Sequence, residues 1–277
     1  MSYVTVGQEN GQSIELYFED HGSGQAVVLI HGFPLNGHSW ERQEAALLDA
    51  GYRVITYDRR GFGASSKPST GYDYDTFTRD LDALLSHLDL REVVLVGFSM
   101  GTGEVSRYLG QYGSERVSKA VLIGPIPPYL LKTADNPEGV DQQVFEGIKD
   151  AIRKDRAAYL TQFFENFYNT DALLGSRVSQ EVLRLSWNVA ARASARATLA
   201  CVDTWLTDFR ADIAKIDVPT LIIHGDADRI LPFDATAKRL PELIAGSELV
   251  VIANGPHNVL WTFAEEVNAA LLTFLQK

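Results

Sequence analysis

The chain has 277 residues, 45% of them hydrophobic, a content that supports a substantial buried core and excludes a disordered protein. Its 25 basic and 36 acidic residues give a formal net charge of −11, which argues against nucleic acid and anionic membranes as partners. Cys201 is the sole cysteine, so no intrachain disulfide can form, and we expect it to be a small buried residue. The first ten residues do not have the pattern of a secretory signal, and no apolar run reaches the roughly 20 residues that span a bilayer. We therefore expect a cytoplasmic protein.

The first third of the chain predicts a hairpin followed by alternating strands and helices. Residues 3–6 and 13–18 alternate polar and apolar side chains, as paired edge strands do. Apolar runs at 27–30 and 53–57 predict strands, and 40–48 predicts a helix. Apolar side chains then recur at helical spacing over residues 76–88.

The stretch from Val93 to Gly101 predicts the chemistry of this protein. Its first six residues form an apolar strand, which fits a parallel sheet covered by helices on both faces. The strand ends in Gly97-Phe98-Ser99-Met100-Gly101 and continues into a helix-compatible segment. A Gly-x-Ser-x-Gly turn between strand and helix is a nucleophile elbow, in which a β-carbon at either glycine would clash. We therefore predict that Ser99 is a nucleophile.

The remaining elements predict one α/β fold with an insertion. Residues 120–123 form another apolar strand, and the alternation of strands and helices indicates a mostly parallel sheet of about eight strands with helices on both faces. From 126 to 215 only helical patterns occur, which predicts a helical cap inserted into a core domain of residues 1–125 and 216–277. Strands at 221–224 and 249–252 and helices at 236–243 and 261–275 complete the core.

A serine nucleophile needs a general base, and His257 is the best-placed histidine. It lies in the loop after the strand at 249–252, and ligands of open parallel sheets bind at the carboxyl ends of the strands. His31 and His224 also end strands, but each directly precedes a glycine, and we expect structural roles for both. The three other histidines are expected to have surface or capping roles: His21, His38 and His87.

The base in turn needs an acid, and the loop 224–232 offers two. Asp226 sits at the tight turn, where aspartate commonly bonds local backbone, whereas Asp228 lies further from the strand and can project toward the site. We choose Asp228. The order Ser99, Asp228, His257 is that of the α/β-hydrolases.

Acyl transfer also needs donors for a tetrahedral oxyanion. The topology predicts the backbone N–H groups of Met100, just after the nucleophile, and of Phe33, in the loop after the strand at 27–30. Pro125, Ile126 and Ile230 lie just beyond strand ends, and we predict that they and Phe33 line the substrate pocket.

Two further groups of residues have competing interpretations. Arg59 and Arg60 could bind an anion, but we favour the interpretation that they form a structural network with Asp58 under the elbow. Three phenylalanines in the cap could shape an acyl pocket, although cap core is favoured for any one of them: Phe163, Phe164 and Phe167.

Six segments carry a resemblance to a known family. They are HGFPL (31–35), GHSW (37–40), YDRRGFG (57–63), GYDYDTF (71–77), GFSMGTG (97–103) and TDFR (207–210). Over essentially its whole length the chain resembles the cofactor-free haloperoxidases, or perhydrolase-esterases, of the α/β-hydrolase superfamily. It is also similar to bacterial bromoperoxidases and to a γ-lactamase.

The resemblance implies an α/β-hydrolase fold and a Ser-His-Asp enzyme that needs neither haem nor metal nor another cofactor. Such enzymes form an acyl-enzyme from a small ester or carboxylic acid, which water or hydrogen peroxide then attacks. Peroxide attack gives a peracid that oxidises bromide or chloride. Pro34 matches the proline whose carbonyl accepts a hydrogen bond from peroxide in perhydrolysing members, and a homo-oligomer is left open by the same resemblance. Asn258 replaces the usual glycine after the catalytic histidine, which bears on substrate preference.

Two alternatives stay open on the sequence. A γ-lactamase or amidase needs the same triad, with protonation of a leaving nitrogen by His257, so that the substrate is an ester, a carboxylic acid or a lactam. A ligand-binding protein without catalysis could also retain this scaffold, since fold does not determine function.

Overall fold

The computed structural model describes residues 2–277, and Met1 lies outside the described residues. The chain begins with two strands, β1 (Ser2–Glu9) and β2 (Gln12–His21), paired antiparallel as the predicted hairpin. In β2 the buried side chains alternate with more exposed ones, because successive residues of a strand point to opposite faces.

A single sheet organises the described part of the chain. Six further strands are β3 (Ala26–Ile30), β4 (Arg53–Tyr57), β5 (Val93–Phe98), β6 (Val117–Ile123), β7 (Thr220–Gly225) and β8 (Glu248–Ile252). The strand order is β1-β2-β4-β3-β5-β6-β7-β8, with antiparallel pairing at β1-β2 and β2-β4 and parallel pairing elsewhere. Every residue of β3, β5 and β7 is buried, as expected for parallel strands covered on both faces. The predicted mostly parallel sheet is confirmed.

Eleven α-helices accompany this sheet in residues 2–277. They are α1 (Glu41–Asp49), α2 (Tyr74–His87), α3 (Met100–Tyr112), α4 (Gln142–Tyr168), α5 (Thr170–Leu173), α6 (Gln180–Ala191), α7 (Ala195–Thr204), α8 (Arg210–Ile213), α9 (Leu240–Leu243), α10 (Val259–Thr262) and α11 (Ala264–Leu275). Asp73 caps α2, because its carboxylate accepts a hydrogen bond from the Thr76 amide at 2.8 Å. No helix in the described range has both the length and the apolar character to cross a membrane.

The helix predicted at 236–243 is present over residues 237–243, as a 3-10 turn that continues directly into the four-residue helix α9. A separate 3-10 turn, Phe233–Ala235, precedes it. Thr236 has non-helical backbone angles (φ −127°, ψ −101°), and Pro241 stands in the first turn of α9. Because proline has no N–H, it is tolerated in the first turn of α9 but cannot extend regular α-helical hydrogen bonding back over residues 237–239.

The segment between β6 and β7 contains α4 to α8, and its described secondary structure is helical apart from isolated bridges. Helix α4 packs against α6 and α7, while α8 packs against α3 beside the sheet. The longest of these helices, α4, is interrupted at Asp155 (φ −160°, ψ 94°). The limits of a cap at 126–215 stay a prediction. Cys201 is buried, and burial raises the pKa of its thiol to about 12.

Candidate active site

Ser99 lies on a sharp turn between β5 and α3. Its backbone angles, φ 53° and ψ −120°, are unusual for a residue with a side chain. A β-carbon on Gly97 would lie 2.6 Å from the Gly101 carbonyl oxygen, and one on Gly101 would lie 2.2 Å from the Ile30 carbonyl oxygen. The backbones therefore approach as closely as the sequence pattern predicted, and only glycine fits at either position.

Three loops at the carboxyl ends of β5, β7 and β8 bring the predicted triad residues together. The Nε2 atom of His257 lies 2.8 Å from the Oγ atom of Ser99. Its Nδ1 atom lies 2.6 Å from Oδ2 of Asp228. The His257 and Asp228 side chains are 0% and 1% exposed, so water hardly competes for these hydrogen bonds. The arrangement can carry a proton from the serine hydroxyl to an oriented imidazole.

The Asp228 carboxylate is held from both of its oxygens. Oδ1 accepts hydrogen bonds from the amides of Ile230 at 2.8 Å and Leu231 at 2.9 Å, and Oδ2 faces His257. Burial favours the neutral acid, but the charge of His257 and hydrogen bonds from His224 and His257 outweigh it and hold the pKa of Asp228 below its ordinary value. The carboxylate therefore stays ionised.

The competing aspartate does not reach the histidine. The Asp226 carboxylate accepts a hydrogen bond from the Asn254 amide at 2.6 Å, which joins the loops after β7 and β8. Asp226 thus bonds backbone, as the tight-turn argument expected, but the backbone of the neighbouring loop and not that of its own turn.

Two aromatic rings pack against His257. The ring centroids of Phe98 and Phe167 each lie 5.1 Å from that of His257, with Phe98 tilted and Phe167 edge-on to the imidazole. Phe167 is buried, and its contact with His257 gives it a place beside the triad that helical periodicity alone did not reveal.

Asn258 connects the His257 loop to the helices between β6 and β7. Its amide group donates to the Tyr168 hydroxyl at 2.9 Å, and its backbone N–H donates to the Phe167 carbonyl at 3.0 Å. The Tyr168 hydroxyl also lies 2.7 Å from Ser186 Oγ. The Asn258 amide thus bonds Tyr168 rather than His257.

The two predicted oxyanion donors lie beside Ser99. Met100 is the first residue of α3, where backbone N–H groups have no partner inside the helix and the helix dipole favours negative charge. Phe33 follows Gly32, where a β-carbon would lie 2.9 Å from the β-carbon of Ser99. The loop that carries the Phe33 amide therefore passes close to the nucleophile.

A buried ion pair supports the elbow from below. Arg59 Nε lies 2.8 Å from Glu104 on α3, and both side chains are almost fully buried. Arg59 also donates to the His31 carbonyl at 3.0 Å, while its backbone N–H donates to His31 Nε2 at 3.0 Å. Burial and the Arg59 charge hold the pKa of His31 well below its usual value, so this histidine is neutral. The predicted structural role of His31 agrees with these contacts.

Asp58 is not the partner of these arginines, and the predicted network with Asp58 is wrong in that respect. Asp58 accepts from the amides of Gly37 at 2.8 Å and Ala64 at 2.7 Å. Arg60 pairs instead with Asp80 at 2.6 Å. Both arginines have structural partners, because a buried guanidinium needs an acceptor and carboxylates on α2 and α3 supply it.

A cavity of about 370 Å³ opens on Ser99. Most of its walls are apolar side chains, and part of them comes from α4. The lining residues are Phe33, Ser99, Ile126, Leu130, Val140, Val144, Phe145, Gly147, Ile148, Ala151, Tyr159, Gln162, Phe163, Asn166, Trp205, Arg229, Ile230 and Leu231. Phe33, Ile126 and Ile230 thus lie where the sequence placed them. Pro34 and Pro125 do not line this cavity. Pro34 is buried and directly follows the lining residue Phe33 in the chain.

One wall of the cavity is aromatic. The ring centroid of Phe33 lies 4.8 Å from Trp205 and 5.9 Å from Phe163, and Tyr159 lies 5.9 Å from Phe163. Phe163 is therefore both packed and pocket-lining, while Phe164 is buried and is not part of the lining. Sequence periodicity assigned these positions to helices but gave no sign of which face met the cavity.

One group in residues 2–277 could offer three metal ligands: Glu19 and His21 on β2 and Glu44 on α1. It includes none of the residues that surround Ser99. His21 lies 3.6 Å from Glu19 and 4.0 Å from Glu44, and its side chain is half exposed.

Comparisons with known proteins place this geometry in context. Residues 25–264 match the model of the α/β-hydrolase fold family. The chain is 67% identical to a Synechocystis sp. protein named as a non-heme chloroperoxidase, over 100% of both chains. It is 34% identical to a bifunctional esterase/perhydrolase of Acinetobacter calcoaceticus, also over 100% of both. The crystal structure of a bromoperoxidase from Bacillus anthracis, 48% identical, superposes with a TM-score of 0.96 over 100% of this chain and 99% of that one.

Proposed function

The chain belongs to the α/β-hydrolase family and, within it, to the non-haem haloperoxidases and perhydrolase-esterases, and we propose that it is a serine esterase that also forms peracids. One observation carries the proposal. Ser99, His257 and Asp228 form a continuous chain of hydrogen bonds, 2.8 and 2.6 Å long, and Ser99 lines a largely apolar cavity. That combination suits acyl transfer from a small carboxylic ester.

Acylation begins at Ser99. His257 Nε2 takes the hydroxyl proton while Oγ attacks the ester carbonyl carbon, and Asp228 stabilises the imidazolium that forms. The carbonyl oxygen becomes an oxyanion, which accepts hydrogen bonds from the Phe33 and Met100 amides, each worth a few kcal/mol of barrier. The imidazolium then returns its proton to the leaving alcohol, and Ser99 carries the acyl group.

Deacylation uses the same groups in reverse order. His257 removes a proton from a water molecule, whose oxygen attacks the acyl carbonyl and releases a carboxylic acid and free Ser99. If hydrogen peroxide takes the place of water, the released product is a peracid, which oxidises bromide or chloride outside the site. The names of the relatives, a chloroperoxidase and an esterase/perhydrolase, support this second outcome.

The cavity favours a small apolar substrate. Its volume of about 370 Å³ accommodates an aryl ester or an ester of a short acyl chain, and its walls offer few charged groups. Arg229 lies at the rim, but its guanidinium pairs with Asp171 at 2.7 Å. A neutral ester suits this pocket better than an anionic one, because binding an anion there requires breaking that pair.

Labelling with a fluorophosphonate tests the nucleophile. We expect stoichiometric labelling of the wild type and none of Ser99→Ala, together with a fall in kcat for phenyl acetate of about 10⁵-fold or more. Ser106→Ala is the matched control, because Ser106 is a buried serine on α3, the helix that follows Ser99, and its hydroxyl donates to the Thr102 carbonyl. Labelling that survives in Ser99→Ala would exclude Ser99 as the nucleophile.

Product analysis tests whether water or hydrogen peroxide attacks the acyl-enzyme. Wild-type enzyme with acetate, hydrogen peroxide and bromide is expected to halogenate an added acceptor at a rate that Ser99→Ala abolishes. Ester hydrolysis without any Ser99-dependent halogenation would restrict the proposal to the esterase, and turnover of a bicyclic γ-lactam in preference to phenyl acetate would favour the amidase instead.

A further inference from the structure

His224 ends strand β7 with its ring buried against the Asp228 loop. Its side chain is 0% exposed, and Nε2 lies 3.0 Å from the Leu231 carbonyl oxygen and 3.2 Å from Asp228 Oδ2. The ring of Phe233 covers it, with centroids 5.5 Å apart. Because His224 directly precedes a glycine at the end of the strand, the sequence predicted only a structural role for it. The folded chain instead places its ring in contact with the Asp228 carboxylate, which binds His257.

The surroundings of the ring determine where its proton lies. Nε2 faces two acceptors, the carbonyl oxygen of Leu231 and the carboxylate of Asp228, so Nε2 carries the proton. Nδ1 is buried and has no hydrogen-bond partner in the described chain. A second proton on Nδ1 would be a buried donor without an acceptor, which is costly. The ring is therefore a neutral donor.

The Asp228 carboxylate consequently accepts two amide hydrogen bonds at one oxygen and faces two imidazoles at the other. The amides of Ile230 and Leu231 bind Oδ1, while the imidazoles of His257 and His224 face Oδ2. With both oxygens engaged, the carboxylate cannot rotate away from His257 without losing several charge-assisted contacts.

We propose that His224 is a positioning residue of the site: its Nε2–H holds the Asp228 carboxylate and the Leu231 carbonyl, so that Oδ2 stays aligned with His257. The inference rests on the proposed function, because it assigns His224 a part in the chemistry of the same triad. His224 acts through Asp228: it contacts the backbone of Leu231, which lines the cavity, but its own side chain is not part of the lining.

Other charged groups near Asp228 face elsewhere. Asp226 bonds the Asn254 amide, and Arg229 pairs with Asp171. Among the described residues, the ionisable side chains in contact with Asp228 are thus the two histidines, so a change at His224 is felt chiefly by Asp228 and, through it, by His257.

Removing the His224 donor makes the carboxylate more basic and lets it stabilise a protonated His257 more strongly. We expect His224→Leu to move the acid limb of the kcat/KM profile for phenyl acetate upward by roughly 0.5 to 1 pH unit, and to lower kcat/KM at neutral pH about tenfold. His224→Gln retains an N–H at a similar reach and should restore the wild-type limb.

Thr220→Val is the matched control for the loss of a buried polar group on β7. The Thr220 hydroxyl donates to the Val218 carbonyl at 2.9 Å, at the opposite end of the strand from Asp228. This variant should lower the unfolding midpoint without moving the acid limb. A folded His224→Leu enzyme with an unmoved limb would overturn the proposal.

Nitrogen-15 NMR of the wild-type imidazoles is a second test of the proposal, which depends neither on the folding of a variant nor on turnover. We expect His224 to be a neutral Nε2–H tautomer throughout the active pH range. Protonation of His224 at Nδ1 in that range would refute the proposal even if the His224→Leu variant were not recovered as folded protein. If wild-type enzyme hydrolyses no ester, the proposed function fails, whereas the NMR arm still reports on His224 separately.

Discussion

Replacing Asp228 by asparagine separates its orienting role from its size, because the two side chains have nearly the same shape. The amides of Ile230 and Leu231 both donate to Oδ1, so the carbonyl oxygen of an asparagine must take that position. Its NH₂ group then faces Nδ1 of His257 and the Nε2–H of His224.

A donor opposite Nδ1 reverses the tautomer of His257. The imidazole must accept at Nδ1, its proton moves to Nε2, and an N–H then points at Ser99 Oγ, 2.8 Å away. That nitrogen can no longer accept the hydroxyl proton. We expect kcat to fall about 10⁴-fold, as when the same change is made in other serine triads, which corresponds to roughly 5.5 kcal/mol of barrier.

The assay is phenyl acetate hydrolysis under saturation, with thermal unfolding to show that the variant is folded. Asp226→Asn is the matched control, because the single hydrogen bond from the Asn254 amide can be accepted by an asparagine oxygen. It should change kcat by no more than about threefold, as for surface substitutions generally. Folded Asp228→Asn enzyme within tenfold of wild type, or a larger loss in Asp226→Asn, would refute the reasoning.

Three further outcomes are expected. Gly101→Ala should lower the free energy of unfolding in urea by roughly 3 kcal/mol or more, because the new methyl would meet the Ile30 carbonyl at 2.2 Å; an unchanged midpoint would contradict this. Burial raises the pKa of Asp80 to about 6 despite Arg60, so the folded chain binds this proton more tightly than the unfolded chain. The stability of wild type relative to Asp80→Asn should therefore fall as pH rises from about 4 to 6, and a constant difference would exclude the effect. Phe163→Leu opens the aromatic wall and should shift kcat/KM from phenyl acetate toward phenyl esters of longer acyl chains, whereas an unchanged preference would place the acyl group elsewhere.

Much of the fold follows from local patterns. Strand β4 has the predicted bounds, and the apolar run 93–98 is strand β5, because short runs rich in apolar and β-branched residues favour a strand buried on both faces. The helix expected at 236–243 forms as a 3-10 turn followed by α9 rather than as one regular α-helix, because the periodicity of apolar side chains carries no information about the backbone N–H that Pro241 lacks.

Local patterns could not predict which carboxylates pair with the buried arginines. Arg59 lies next to Asp58 in sequence but pairs with Glu104, and Arg60 pairs with Asp80. These partners are 45 and 20 residues apart, and they meet only because α3 and α2 pack beside the turn that holds both arginines. The face of α4 that meets the cavity is likewise set by packing, since Phe163 contacts Phe33 and Phe167 contacts Phe98.

By itself, the sequence determined the positions that can supply a nucleophile, an acid and a base: Ser99, Asp228 and His257 each follow a strand, and parallel strands end at a common edge. The tertiary structure alone decided the distances between them, the 2.8 and 2.6 Å contacts that join three loops distant in the chain. It alone placed Phe167 and His224 against the triad. The reason is physical: strand and helix patterns reflect neighbours within a few residues, whereas a site is made of contacts that exist only when separate elements pack.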